Sequence, residues 1–345
     1  MVTSRFRRRA SVVACLSGCI ATFIGALAAS ACTPFAAADS DPTVDGGVPD
    51  AGLLDAELPT APIEIAALSG QTLGAVFAAG TAGVVWSANL EIFGLAATGK
   101  PVVMYVGGEV LSKDAVVTSG DVIVSRLSSG AVIRCPYGVS CTSIPGNTAT
   151  GFNRPGPLSL DGATLYVAET NGAMRLMTCS AAPCKTSTAQ FGSAALPSGV
   201  TSIAAAGGNV MVVVTTGQIT AYASSGGPTA LQDAAGTVAG IANDGLYAYW
   251  VDGVSKRLVS RDVGAVGPPT ASPFMVANAV GFVRDGDRLY WLEPSTGEVR
   301  RCKTKAFAGV EVVAVLPGAS RLAVGDRIYL ANDTTGKIYA APKKP

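Results

Sequence analysis

Short apolar runs alternate with turn residues along the chain after residue 60. An apolar doublet followed by a turn occurs seven times, and consecutive copies lie 38 to 45 residues apart. A recurring period of this length is typical of proteins built from one repeated supersecondary unit, so we predict seven units. The second positions of the seven doublets are Val85, Ile123, Tyr166, Met211, Tyr249, Tyr290 and Tyr329.

Each unit has the pattern of four short strands. In the sixth unit, Asp285-Gly286 and Pro294–Gly297 form the turns on either side of the second strand, and EVRRC and VEVVAVL supply the third and fourth strands. Gly, Asn and Asp tolerate the positive φ of tight turns, and the β-branched and aromatic residues between them favour strands. Four-stranded units at this period predict an all-β fold, a seven-bladed β-propeller of four-stranded blades.

The two ends of the repeat array complement each other. The seventh unit stops after its third strand, Lys337–Pro342, and therefore lacks a fourth. Ahead of the first unit, Ile63–Gly80 matches the pattern of Val310–Asp326, which contains a fourth strand and the start of the next unit. We therefore expect Ile63–Leu68 to complete the last blade and close the ring.

Two units carry a resemblance to a known repeat family. VRDGDRLYWLEPSTGEVRRC and AVGDRIYLANDTTGKIYAAP resemble the NHL and YVTN-like propeller repeats of bacterial exported proteins and lipoproteins. The resemblance spans residues 60–345 and implies a propeller in an exported lipoprotein. It implies no particular activity, because propellers host unrelated functions.

The first residues have the pattern of an export signal. Four arginines within residues 1–9 precede an uncharged run, Ala10–Ala31. Residues 1–32 are therefore predicted to be a signal peptide. Ala29-Ser30-Ala31-Cys32 resembles a lipobox, so Cys32 is the expected lipidation site. Three alternatives remain open: lipidation at Cys19 after Leu16-Ser17-Gly18, ordinary cleavage, and an uncleaved anchor.

Residues 33–59 are rich in Pro, Gly, Ala and Asp and carry no base. This composition predicts a flexible acidic linker that separates the propeller domain, 60–345, from a membrane surface. We expect a monomer at the cell envelope, lipid-anchored to the outer membrane. Secretion is the alternative location.

The composition excludes several classes of function. The chain has no histidine, which excludes a Ser-His-Asp triad and the common His-containing metal sites. The formal net charge of +1 gives no electrostatic case for nucleic-acid binding. We predict no cofactor, no metal site and no catalytic residue.

Five cysteines lie in the predicted propeller. Cys135 and Cys141 end one third strand, and Cys179 and Cys184 end the next, so we predict two local disulfides in an oxidising compartment. Cys302 occupies the same position in its repeat unit as Cys135, but no second cysteine lies near it in the sequence. This favours a buried, unreactive thiol over a reactive one.

The three tryptophans share one repeat phase, directly after the doublet. A large ring at the same place in several blades is expected to pack between neighbouring sheets. Stacking against a ligand is the alternative. The residues concerned are Trp86, Trp250 and Trp291.

Candidate binding residues cluster where second strands end. The longest connection on the same predicted face is Pro145–Pro157. The acidic candidates can form a ring around a central channel for a cation or for acid–base chemistry, or they are solvated turn residues. The candidates are Arg126, Phe152, Asn153, Arg154, Glu169, Asp252, Glu293 and Asn332.

From these patterns we expect a membrane-tethered propeller that binds a protein or glycan partner through a polar face. The alternative is a His-free hydrolase or lyase that uses carboxylates, with Tyr166 or Arg154, on that face. Convergence of Glu169, Asp252, Glu293 and Arg154 in one pocket would favour the enzyme.

Overall fold

The computed structural model describes residues 61–343 except 69, 96–98, 107–109, 142–147, 173, 181–188, 193, 233–235, 239, 265–266 and 277. The predicted signal peptide and linker, with Cys19 and Cys32, therefore lie outside the described residues. The described part contains 28 strands and no helix. No helix in this part is long and apolar enough to span a membrane.

The strands form seven four-stranded antiparallel sheets, the blades. The first strand of the chain, β1 (Ile63–Ala67), belongs to the last blade. Blades 1 and 2 contain β2 (Leu73–Gly80), β3 (Gly83–Ala88), β4 (Glu91–Leu95), β5 (Pro101–Val106), β6 (Leu111–Val117), β7 (Asp121–Arg126), β8 (Ala131–Pro136) and β9 (Thr148–Ala149). Blades 3 and 4 contain β10 (Pro155–Asp161), β11 (Thr164–Glu169), β12 (Leu176–Ser180), β13 (Ala189–Gln190), β14 (Val200–Ala206), β15 (Asn209–Val214), β16 (Ile219–Ala223) and β17 (Thr229–Gln232).

Blades 5 and 6 contain β18 (Ile241–Asn243), β19 (Tyr247–Asp252), β20 (Arg257–Asp262), β21 (Thr270–Met275), β22 (Val280–Asp285), β23 (Arg288–Glu293), β24 (Glu298–Lys303) and β25 (Glu311–Val315). Blade 7 contains β26 (Arg321–Val324), β27 (Ile328–Asn332) and β28 (Lys337–Ala341) in addition to β1. The first strands of successive blades contact one another in a cycle that returns from β26 to β2. The predicted seven-bladed propeller is therefore confirmed.

The ring is closed by the N-terminal strand, as the sequence predicts. β1 pairs antiparallel with β28, and the strand order in blade 7 is β1-β28-β27-β26. The N–H of Leu68 donates to the carbonyl of Gly336 at 2.9 Å and extends this pairing past the end of β1. The outer strand of the last blade thus comes from the opposite end of the chain.

The core lies between neighbouring blades, and the tryptophans contribute to it. Trp250 packs with Met211 of blade 4, and Trp291 packs with Tyr249 of blade 5. Trp86 packs with Tyr329 of blade 7. All three tryptophans are at most 1% exposed. The predicted packing between sheets is confirmed, since burial on this scale leaves no ring face for a ligand.

The recurring Asp and Tyr of the repeat have a structural role. The hydroxyl of Tyr249 donates to Asp244 at 2.8 Å, and the hydroxyl of Tyr329 donates to Asp326 at 2.7 Å. In both blades the aspartate lies in the turn between the first and second strands. The pair therefore satisfies a buried hydroxyl and holds the turn against the sheet.

The cysteines of the described residues divide into bonded and free. Cys135 and Cys141 form a disulfide with a Cα–Cα distance of 5.5 Å, as predicted. Cys179 is also disulfide-bonded, and Cys184 lies outside the described residues. Cys302 is free and fully buried, which agrees with the expected unreactive thiol.

Candidate functional site

One end of the ring carries the turns between second and third strands and the connections from each fourth strand to the next blade. We call this end the upper face. Strand topology assigns to it every binding candidate selected from the sequence. These residues are Arg126, Phe152, Asn153, Arg154, Glu169, Asp252, Glu293 and Asn332.

Glu169 is fully buried at the end of β11. Its Oε1 accepts a hydrogen bond from the N–H of Asn153 at 2.9 Å. The Nε of Arg175 donates to its Oε2 at 2.8 Å. The carboxylate is therefore neutralised and hydrogen-bonded within blade 3 and its preceding connection, and it is not a solvated turn residue.

Asp252 caps the turn that follows β19. Its Oδ1 accepts from the N–H groups of Val254 at 2.9 Å and Ser255 at 2.6 Å, and the side chain of Gln232 donates to Oδ2 at 2.5 Å. Burial raises the pKa of Asp252, but these hydrogen bonds outweigh it and hold the pKa below its ordinary value. Asp252 is thus an ionised structural group.

Glu293 and Asn332 bond within their own blades. The Oε1 of Glu293 accepts from the indole N–H of Trp291 at 3.2 Å and lies 3.6 Å from Nη1 of Arg300. The Oδ1 of Asn332 accepts from the N–H of Thr335 at 3.0 Å. The acidic candidates therefore bond to separate sets of partners, and the described residues contain no group of three Cys, Asp or Glu side chains placed to bind a metal ion.

A groove with a mixed polar and apolar lining opens on the upper face between blades 2 and 3, with a volume of about 530 Å³. Phe152 is buried within it, and its N–H donates to the carbonyl of Gly130 at 3.3 Å. Gly130 has a φ of +64°, and an added Cβ would collide with the carbonyl oxygen of Phe152. We call this the upper groove; it is lined by Val110, Leu127, Ser128, Ser129, Gly130, Phe152, Asn153, Arg154 and Asn171.

A second cavity of about 400 Å³ adjoins the groove and shares Leu127 and Arg154 with it. The first strands of blades 2, 3 and 4 contribute most of its walls, so it lies at the upper end of the central channel. We call it the inner cavity; its lining residues are Leu111, Ser112, Lys113, Asp114, Leu127, Arg154, Gly156, Pro157, Thr170, Val200 and Thr201.

Asp114 is the unusual group of the inner cavity. Its Oδ2 is buried and has no hydrogen-bond partner among the described residues. Burial raises the pKa of Asp114 to about 6, against a smaller lowering by Lys113. The pairing register of β6 with β7 shifts between Leu111 and Ala115, so Asp114 lies in an irregular part of the strand. Register shifts between the first and second strands also occur in blades 1, 3, 4 and 6, so this irregularity is a feature of the repeat.

Arg154 joins the groove to the cavity and has a strained backbone, with a φ of +54°. Its carbonyl accepts from the N–H of Thr170 at 3.1 Å and from the hydroxyl of the same residue at 2.9 Å, and these bonds hold the conformation. Left-handed backbone is uncommon in residues other than Gly, but seven other described non-glycine residues of this chain also have a positive φ, so the conformation by itself does not mark a binding site.

Arg154 is predictable from the sequence because it lies in the longest connection of the upper face. Asp114 was not predicted, because it lies inside a first strand and not at the end of a second strand or in a connection. The feature of the sequence that could have identified Asp114 is the adjacent Lys-Asp pair in the interior of β6. The first strands β2, β14 and β18 of other blades carry no Lys, Arg, Asp or Glu.

No protein family and no curated protein matches the chain. Solved structures do. A streptogramin B lyase has a TM-score of 0.60 and 13% identity over 83% of this chain and 98% of that one. A catalytically inactive virginiamycin B lyase from Staphylococcus aureus with quinupristin has a TM-score of 0.57 and 15% identity, over 81% and 98%. The Neurospora crassa Pan2 WD40 domain has a TM-score of 0.57 and 8% identity, over 83% and 96%.

The chain is a β-propeller. At these identities the likeness shows the fold and nothing finer.

Proposed function

We propose that the protein is a non-enzymatic binding module that recognises a glycan through the upper groove. The observation that carries this proposal is the open groove beside Arg154, lined by Ser, Asn, Arg and apolar side chains, on the same face as carboxylates that already have hydrogen-bond partners. Hydroxyl, amide and guanidinium groups match the donors and acceptors of a sugar ring. A protein partner is the competing outcome of the test.

The occupied carboxylates support binding over catalysis. Neither the groove nor the inner cavity is lined by Glu169, Asp252 or Glu293. Tyr166 is 5% exposed and packs edge-on against Phe191, with ring centroids 5.1 Å apart. General acid–base chemistry needs a group within hydrogen-bond reach of the substrate, and these side chains are committed to the core and the turns.

The structural likeness to lyases does not transfer their activity. One of those lyases is described as catalytically inactive after a histidine-to-alanine substitution. This chain contains no histidine. A reaction that depends on an imidazole therefore has no equivalent group here.

We further propose that the module is tethered at the cell envelope through a lipid on Cys32. The arginine-rich start, the uncharged run and the NHL- and YVTN-like units support this location. Palmitate labelling in cells tests it. Cys32→Ser is expected to abolish labelling and Cys19→Ser to leave it intact; the reverse pattern would move the site to Cys19, and no labelling of the unaltered chain would overturn the tether.

Glycan-array screening of the full chain tests the binding proposal. Arg154→Ala and Asn171→Ala are expected to weaken binding at least tenfold, and Arg327→Ala on the opposite face is the matched control. Loss of binding with Arg327→Ala alone would place the site elsewhere. A chain that binds no glycan but binds a protein through the same groove would replace the glycan proposal with the protein one.

A further inference from the structure

The inner cavity combines one unsatisfied carboxyl with two cationic side chains, Lys113 and Arg154. The buried Oδ2 of Asp114 has no partner among the described residues, and a buried polar atom without one is costly. A ligand group in the cavity can supply the missing hydrogen bond. The cavity volume of about 400 Å³ falls within the range of small-molecule sites.

The strands packed against β6 add few further charges near Asp114. β2 carries none, and β7 and β10 carry their acidic residues, Asp121 and Asp161, at their lower ends. Lys113 and Arg154 are both exposed and line the cavity. The cavity is therefore lined by two cationic residues, Lys113 and Arg154, and by one carboxyl group, that of Asp114, while the nearby carboxylate of Glu169 is already paired with Arg175.

This charge balance favours an anionic ligand over a cationic one. An ammonium group would satisfy Asp114 but would face Lys113 and Arg154. A carboxylate would interact favourably with both cations, and a protonated Asp114 would donate its Oδ2–H to it. Hydroxyl groups on the same ligand match the polar lining of the adjoining groove.

We infer that the inner cavity is a subsite for the carboxylate of an acidic sugar, a hexuronate, with Lys113 and Arg154 as its cationic partners and Asp114 as a hydrogen-bond donor. The inference rests on the proposed glycan binding, since the cavity continues the upper groove. The inference specifies the class of sugar, whereas the lining of the upper groove alone does not indicate one.

The inference has a defined pH dependence. A hexuronate remains ionised at pH 5 and at pH 7.5. Asp114, with a pKa of about 6, is mostly protonated at pH 5 and mostly ionised at pH 7.5. Ionised Asp114 repels the ligand carboxylate, whereas protonated Asp114 donates to it. Affinity should therefore fall about tenfold as pH rises from 5 to 7.5.

Calorimetric titration of the full chain tests the inference. The probes are galacturonate, glucuronate, mannuronate and guluronate trisaccharides, each paired with the neutral trisaccharide of the same linkage. We expect at least one uronate to bind at least tenfold more tightly than its neutral counterpart at pH 5. Equal affinity for the two would overturn the carboxylate assignment and leave glycan binding intact. Binding of neither series would overturn this inference and the glycan proposal together.

Two conservative variants test the residue roles. Asp114→Asn keeps the shape of the side chain and a hydrogen-bond donor. The variant should therefore retain its uronate affinity at pH 5, and this affinity should no longer decrease when the pH is raised to 7.5. Lys113→Gln should weaken the uronate about fivefold at both pH values and leave the neutral sugar unchanged, because Lys113 does not line the groove. A pH dependence that persists in Asp114→Asn would remove Asp114 from the subsite, and a matched loss of both sugars in Lys113→Gln would contradict a carboxylate contact.

Discussion

The carboxylate of Glu169 accepts a hydrogen bond from the backbone N–H of Asn153, with an Oε1–N distance of 2.9 Å. Glu169 ends the second strand of blade 3, and Asn153 lies in the connection that enters the same blade. Arg175 supplies the compensating charge. A residue with the position of a candidate catalytic acid therefore holds one wall of the upper groove in place.

Glu169→Ala is expected to destabilise the propeller. The substitution leaves the N–H of Asn153 without its acceptor, which costs about 1–2 kcal/mol of unfolding free energy, whereas Arg175 is partly exposed and regains water. Glu169→Gln keeps an acceptor and should cost less. Urea denaturation measures both, with the exposed Asp287→Ala as the control that should change little. Equal, small effects of all three substitutions would contradict the structural role of Glu169.

Asp114 should make the stability of the protein depend on pH. Its pKa of about 6 in the folded state lies above its ordinary value of 3.8, so the folded state binds the proton more tightly. Its contribution is fully favourable below about pH 4 and is lost as pH rises through 6, by about 3 kcal/mol. Asp114→Asn should therefore raise the unfolding free energy at pH 7.5 and change it little at pH 4. The same change at both values would show that Asp114 is not buried as described.

The closing strand should contribute far more stability than the linker. Deleting residues 60–68 removes β1, exposes the edge of β28 and opens the ring. Deleting residues 40–50 removes only part of the predicted spacer. Thermal unfolding followed by circular dichroism should show a large loss of melting temperature, or loss of the folded state, for the first deletion only. Equal melting temperatures would mean that the ring does not depend on this strand.

Cys302 should not react with thiol reagents in the native protein. Burial raises the pKa of this thiol to about 12, so the thiolate is scarce and inaccessible at pH 8. Iodoacetamide treatment followed by peptide mass spectrometry should find Cys302 modified only after unfolding in urea. Native modification within minutes would place the thiol at a mobile or exposed site.

The fold was predictable because each repeat unit can be recognised from a short stretch of neighbouring residues. Each unit is marked by a short local pattern, such as the doublets at Tyr249 and Tyr290 and the turns that contain Asp. The number of these units gives the number of blades, and the missing fourth strand of the last unit indicates how the ring closes. The burial of the tryptophans was predictable as well, because they occupy the same position in their repeat units. Closure by Ile63–Leu68 was predictable because one unfinished unit needs one strand.

The site was predictable only in part. Arg154 and Asn153 lie in a long connection, and length alone marks such a segment. The bonding of Glu169 to Asn153 depends on how two connections meet in space, which the sequence pattern does not contain. The burial of Asp114 depends on how β6 packs against β2 and β10 of the neighbouring blades, and the sequence pattern does not contain this packing.

Hydrogen–deuterium exchange of the full chain with its glycan ligand tests the central claim most directly. If the upper groove is the binding surface, the ligand should slow exchange in residues 127–130, 152–154 and 170–172 and leave the lower-face turns at 80–83, 206–209 and 324–328 unchanged. Protection confined to the lower-face turns, or spread equally over both faces, would contradict the account.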